Sequence, residues 1–155
     1  FANLPGHNWD GSGDPARFII SNDDLKKLAK KKTPVATLLS HGQSATPQPA
    51  VKEFHSKMFS SLLRSGVNLI IASDDPQRTL RSEINYLNGL SKQNGPDLLR
   101  ILCENTAGAI FPNRKIGKLK EGYEASFLVL TDDPFANILK IRASAFKVKN
   151  GTLLK

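Results

Sequence analysis

Asp74 stands just beyond an apolar run, Val67–Ala72, in the stretch "SGVNLIIASDDPQRT" (65–79). A carboxylate delivered to the tip of a buried strand can hold a metal or take a proton from water. A strand-end aspartate that bonds to its own turn is the other reading of the same residue, and Asp75 and Pro76 read as turn and cap. His41 follows a second apolar run and is a candidate substrate contact, with an exposed loop histidine as the alternative. His7 lies in a glycine-rich loop and is a second candidate contact, whereas His55, on the flank of an amphipathic helix, reads as structural. These three histidines show no metal-ligand spacing among themselves. Cys103 reads as a small core hydrophobe of a helix, and Trp9 as an aromatic that pins its loop.

Several elements must position these groups. Residues 1–20, with "NLPGHNWDGSGDP", read as a long irregular loop. "SNDDLKKLAKKK" predicts a helix capped by Ser21 or Asn22, with Asp23 and Asp24 at the positive end of its dipole. "TPVATLLS" (33–40) is apolar enough to be a strand covered on both faces. After the loop 41–50, Val51, Phe54, Met58, Leu62 and Leu63 repeat at helical spacing, and Gly66 supplies the stop. The strand Val67–Ala72 follows, then a helical pattern on Leu80, Ile84 and Leu87. A further helix is expected from about Asp97 to Ile110, with Pro96 in its first turn. Apolar strands alternating with amphipathic helices predict βαβ units and a parallel sheet. Beyond Asn113 the pattern changes: "ASFLVL" (125–130) reads as a strand and 145–155 as a hairpin turning on Asn150-Gly151. Two domains are expected, 1–112 and 113–155.

Composition narrows the function classes. The 155 residues carry 22 basic and 14 acidic side chains, a net charge of +8. Much of the excess sits in "LKKLAKKKT" (25–33), which has no interleaved aromatics, so a solvated helix face is expected and no nucleic-acid partner. No stretch approaches the roughly 18 apolar residues that cross a bilayer, so no membrane partner is expected. A single cysteine excludes an internal disulfide framework. The chain starts at Phe1-Ala2 without an initiator Met or a signal peptide, and reads as a processed or truncated product.

Three segments, in this order, resemble the C-terminal part of the amidohydrolase superfamily, and within it the imidazolonepropionase and prolidase-like metal-dependent hydrolases. "GVNLIIASDD" resembles the last barrel strand, where the family places an aspartate after a pair of small residues, here Ala72-Ser73-Asp74. "LLRILCENTAGAIF" (98–111) is similar to the closing helix, and "IGKLKEGYEASFLVLTDDPFANI" (116–138) to the stretch that rejoins the small β-sandwich. The resemblance covers 66–155 well and 1–65 with weaker motifs. It implies an α/β fold: the C-terminal part of a (β/α)8 TIM barrel, about three βα units, plus part of the sandwich.

By the same resemblance the whole enzyme hydrolyses an amide, peptide or cyclic-amide C–N bond with metal-activated water. Zn2+ is the implied cofactor, Asp74 the ligand and general base, and a small-molecule or peptide-like amide the substrate. "FANLPGH" places Asn3 where the family has a metal- or substrate-binding histidine. An amide oxygen is a poor substitute for imidazole on zinc, and His7 follows four residues on. Ser126 stands where the family commonly has Asp, a change expected to matter for packing only. The family's His-x-His, its carboxylated Lys or Glu and its fifth-strand His all precede this region, so the rest of the barrel, upstream of Phe1, is an implied partner. Open sheet edges in such a piece also imply self-association as a homo-oligomer. The alternative is a non-catalytic fragment or degenerate binding module that lacks the metal site.

Overall fold

A computed structural model describes residues 2–40, 48–73, 80–90 and 95–154. The chain divides into two compact units, Phe1–Lys92 and Gln93–Lys155. Among the described residues no helix is long and apolar enough to cross a membrane.

The first unit is built on three short strands, β1 (Ala2–Asn3), β2 (Val35–Ala36) and β3 (Leu69–Ile70), parallel and in the order β1-β2-β3. Ala2 pairs with Val35 and Asn3 with Ala36; Val35 pairs with Leu69 and Ala36 with Ile70. A strand at β1 replaces part of the irregular loop that the glycines and prolines of 1–20 suggested. Its pairing comes from the neighbouring strand, a tertiary contact that local composition does not encode. Ladder bonds reach past the strands: Leu4 N–H donates to the Ala36 carbonyl and Thr37 N–H to the Ile70 carbonyl. Val35–Leu39 and Leu69–Ile71 are buried throughout, as parallel strands covered on both faces require.

Helices carry the chain between strands. α1 (Asn22–Lys31) is capped by Ser21, whose hydroxyl accepts the Asp24 N–H, and ends in Lys30 and Lys31 at the negative end of the dipole. α2 (Pro49–Arg64) starts on a proline, which lacks the N–H a first helical turn leaves unpaired anyway. It buries Val51, His55, Met58, Phe59 and Leu62, and each of the apolar members contributes roughly 1.5–3 kcal/mol. α3 (Leu80–Leu90) buries Glu83, Ile84, Leu87 and Leu90 and packs on α2.

The second unit opens with α4 (Gly95–Arg100), continues through a π-helical stretch, Ile101–Thr106, and ends in α5 (Ala107–Ile110). The continuous helix expected over 97–110 is therefore widened at its centre. The Thr106 hydroxyl donates to the Ile101 carbonyl five residues back, at 2.8 Å. Gly117 packs against this stretch so closely that a Cβ on it would lie 2.0 Å from the Cys103 carbonyl oxygen. Its φ of +84° is a second reason for glycine there. The Lys118–Glu104 ion pair, 2.7 Å, ties the same two segments together. Cys103 itself is exposed, which corrects its reading as a core residue: Leu98, Ile101 and Thr106 take the buried side of the helix instead.

An antiparallel sheet in the order β4-β5-β6 completes the unit: β4 (Phe127–Leu130), β5 (Ser144–Lys149) and β6 (Thr152–Leu154). The hairpin turns where expected, with φ of 49° at Asn150 and 78° at Gly151, the pair of positive values that a type I′ turn needs. Ser126 is exposed and holds this turn rather than packing: its hydroxyl accepts the Asn150 N–H at 3.0 Å. Arg114 closes a two-pronged pair on Glu124, at 2.7 and 2.6 Å.

Candidate functional site

Parallel pairing brings the ends of β1, β2 and β3 to one carboxyl edge, where Asn3, Ala36 and Ile70 lie in register. Open α/β sheets bind ligands at that edge because their loops converge there. Asn3 is exposed at the end of β1. His7, half-buried in the following loop, donates from Nδ1 to the Leu4 carbonyl at 2.8 Å. Asp74 and His41 lie outside the described residues. Among the described residues no group of three or more His, Cys, Asp or Glu side chains gathers as a metal would require.

Two buried polar groups fasten the edge. Glu83, fully buried on α3, accepts the Leu39 N–H at 2.9 Å on one oxygen and the Ser40 N–H at 2.7 Å on the other. Hydrogen bonds to a charged acceptor contribute about 1.5–3 kcal/mol each, so this grip on the loop after β2 is strong. His55, fully buried on α2, lies 3.2 Å through Nε2 from the Gly6 carbonyl and 2.8 Å through Nδ1 from the Tyr86 hydroxyl. A carbonyl only accepts, so Nε2 carries the proton and Nδ1 of the neutral ring accepts from Tyr86. Burial lowers the pKa of His55, more than the Gly6 bond raises it, and keeps the ring neutral. Tyr86 is pushed up to about 12 by burial and by the charge of Glu83. One helix, α3, thus holds the loop after β2 directly, and the loop after β1 through Tyr86 and His55.

The segment just after β2 is irregular at successive residues. Thr37 is fully buried, and its hydroxyl has no hydrogen-bond partner among the described residues. Leu38 has φ of 49°, a left-handed conformation that costs a branched L-residue about 1–2 kcal/mol. Leu39 and Ser40 then give their N–H groups to Glu83.

The remaining sequence candidates fall elsewhere. Trp9 is buried, donates from its indole nitrogen to the Ser12 carbonyl and meets Phe54 edge-on at 5.2 Å, so it pins its loop as expected. An apolar cavity of about 230 Å³ opens between α1 and α2, lined by Phe18, Ile19, Leu25, Phe54, Met58 and Leu62. None of the sequence-predicted site residues lines it. Glu83 and Tyr86 escaped the sequence reading. The available signal was position: Glu83 stands four residues before Leu87 and seven before Leu90, on a helix face otherwise apolar.

No family model matches the chain. "Putative amidohydrolase YtcJ" of Bacillus subtilis (strain 168) is 38% identical over an alignment of 56 residues, which takes in 29% of this chain and 11% of that protein. Among solved structures, an amidohydrolase from Thermotoga maritima MSB8 matches 86% of this chain at a TM-score of 0.58 and 24% identity. A prolidase solved with N-methylphosphonate-L-proline matches 88% at 0.59 and 17% identity, and a further amidohydrolase 88% at 0.60 and 16%. The chain spans 34% of the Thermotoga chain and 38% of each of the other two, well under half their length. The resemblance read from the three sequence motifs is therefore borne out: this mixed α/β chain shares the fold of part of an amidohydrolase, and a stretch of sequence with another.

Proposed function

We propose that the chain is a C-terminal part of a metal-dependent amidohydrolase: about three βα units of a (β/α)8 barrel, ending near Pro112, with part of a β-sandwich beyond. The observation that carries the reading is the 38% identity to a protein described as an amidohydrolase, in a chain whose parallel strand ends meet at one edge. The reaction is hydrolysis of an amide or cyclic-amide C–N bond by water. Asp74 takes the proton from the attacking water and passes it to the leaving nitrogen. Zn2+ is the metal that the resemblance implies, with Asp74 as a ligand and Asn3 at the place of a family histidine. The described residues gather no metal shell of their own, and the proton steps above rest on Asp74 alone. His7 and His41 are proposed to meet the substrate.

A prolidase of the same fold was solved with a proline-derived phosphonate, so dipeptides ending in proline and N-acyl amino acids are the first substrates to try. The test uses the full-length protein supplied with zinc and compares it with Asp74→Asn. A general base contributes about 10²–10⁴-fold, so kcat is expected to fall by that factor while the circular dichroism spectrum stays unchanged. Hydrolysis within threefold of the parent would remove Asp74 from the mechanism. The other reading, a non-catalytic binding module, predicts substrate binding without turnover and without bound zinc.

A further inference from the structure

We propose that Glu83 is a positioning residue that holds the segment just after β2, Thr37–Ser40, in a left-handed corner which those residues would not keep by themselves. Three observations converge on four successive residues. Leu38 stands at φ of 49°, where a branched side chain is disfavoured. Such conformations persist where the surroundings over-determine them, and they cluster at functional sites. The two residues after Leu38 are fixed by one carboxylate, with the Leu39 N–H on one oxygen and the Ser40 N–H on the other. Just before it, the buried Thr37 hydroxyl has no partner among the described residues.

Glu83 suits this task because it is fully buried on α3 and lies 44 residues along the chain from Leu39. The grip is therefore tertiary, and it sets where the β2 loop leaves the sheet at the carboxyl edge. In the amidohydrolase reading that edge is the site, and the consequence for activity rests on that reading. The structural claim does not.

The experiment compares the full chain with Glu83→Gln, which keeps the side chain's shape but replaces one acceptor oxygen with an N–H2 group facing a backbone N–H. Amide hydrogen exchange at Leu39 and Ser40 is expected to speed up by about 10- to 100-fold, the factor that corresponds to losing one charge-assisted bond. Exchange at Leu62 in α2 is expected to stay within threefold. The Leu38 Cα and Cβ chemical shifts are expected to move from left-handed toward extended values. Unchanged exchange at Leu39 and Ser40, or an equal rise across the first unit, overturns the proposal.

If Glu83→Gln does not fold, the parent protein still decides. Leu38 shifts that are not left-handed, or fast exchange at Leu39 and Ser40, overturn the claim; left-handed shifts with slow exchange uphold it. Hydrolysis forms a separate arm, in which Glu83→Gln is expected to lower kcat at least tenfold with KM within about threefold. A parent protein with no hydrolytic activity removes the amidohydrolase reading and leaves the exchange result to judge Glu83.

Discussion

Replacing Gly117 with alanine tests the packing of the second unit most directly. The new Cβ would sit 2.0 Å from the Cys103 carbonyl oxygen and 2.9 Å from its carbon, against a closest ordinary contact of 3.4 Å. Loop and helix must part by about 1.4 Å, the difference between 3.4 and 2.0 Å. The obstacle is helix backbone, which cannot swing aside as a long side chain does. Overpacking of this kind costs about 1–3 kcal/mol, and alanine at φ of +84° adds about 1–2 kcal/mol. The sum is about 2–5 kcal/mol. Gly122 separates the two contributions: its φ is +78°, but nothing lies within 4 Å of a Cβ built there. Gly122→Ala is therefore expected to cost only the conformational part, about 1–2 kcal/mol. Gly108, in α5 with open space around it, is expected to gain about 0.5–1 kcal/mol as alanine. Urea unfolding read by circular dichroism measures all three. The lone tryptophan, Trp9, lies in the first unit and reports on its unfolding. Equal costs for Gly117→Ala and Gly122→Ala would refute the close approach to Cys103.

Two further outcomes follow from the geometry. Burial lowers the pKa of His55 below its ordinary 6.5, and His7 pushes it the same way. Below that pH the unfolded chain binds a proton that the folded ring refuses, so stability is full above about pH 6.5 and falls as pH drops toward the folded value. The slope is at most about 1.4 kcal/mol per pH unit. Urea midpoints from Trp9 fluorescence for the parent and His55→Gln, measured between about pH 5 and 8, should show that slope only in the parent. A parent stability rising with acid would reverse the sign and the argument. Asn150→Ala loses both the tolerance of asparagine for φ of 49° and its side-chain bond to Ser126; it is expected to destabilise the hairpin by about 1–2 kcal/mol. The check is amide exchange at Gly151, whose N–H donates to the Ala125 carbonyl.

The parts of the fold legible in the sequence are those governed by local rules. Ser21 with Asp23 and Asp24 announces α1, Asn150-Gly151 the hairpin, and the mostly apolar runs at 35–39 and 67–72, each broken by a single polar residue, the covered parallel strands. Illegible features depend on contacts between distant residues. Among the described residues β1 pairs Ala2 and Asn3 with β2, inside a glycine- and proline-rich stretch, and it exists because β2 lies beside it. The π-helical widening at Ile101–Thr106 leaves no mark on an apolar period that suits an α-helix equally well. Cys103 reads as a core residue only because a lone cysteine in an apolar helix is by default a small hydrophobe, and inside the widened stretch it faces outward instead.

The site divides along the same line. A residue with a motif around it, such as Asp74 in "ASDD", can be nominated from sequence because its neighbours carry the resemblance. Glu83 had no such neighbours. What marked it was a contradiction: a carboxylate at the spacing of Leu87 and Leu90, where the helix should bury carbon. A buried charge must find donors, and the nearest unpaired donors on any α/β sheet are the backbone N–H groups where strands end. Chemistry alone thus requires that some strand end satisfy that carboxylate. The answer, Leu39 and Ser40, lies beside the buried Leu38, whose backbone turns left-handed. Strain at Leu38 and charge at Glu83 are each unfavourable alone. Placed together, each accounts for the other.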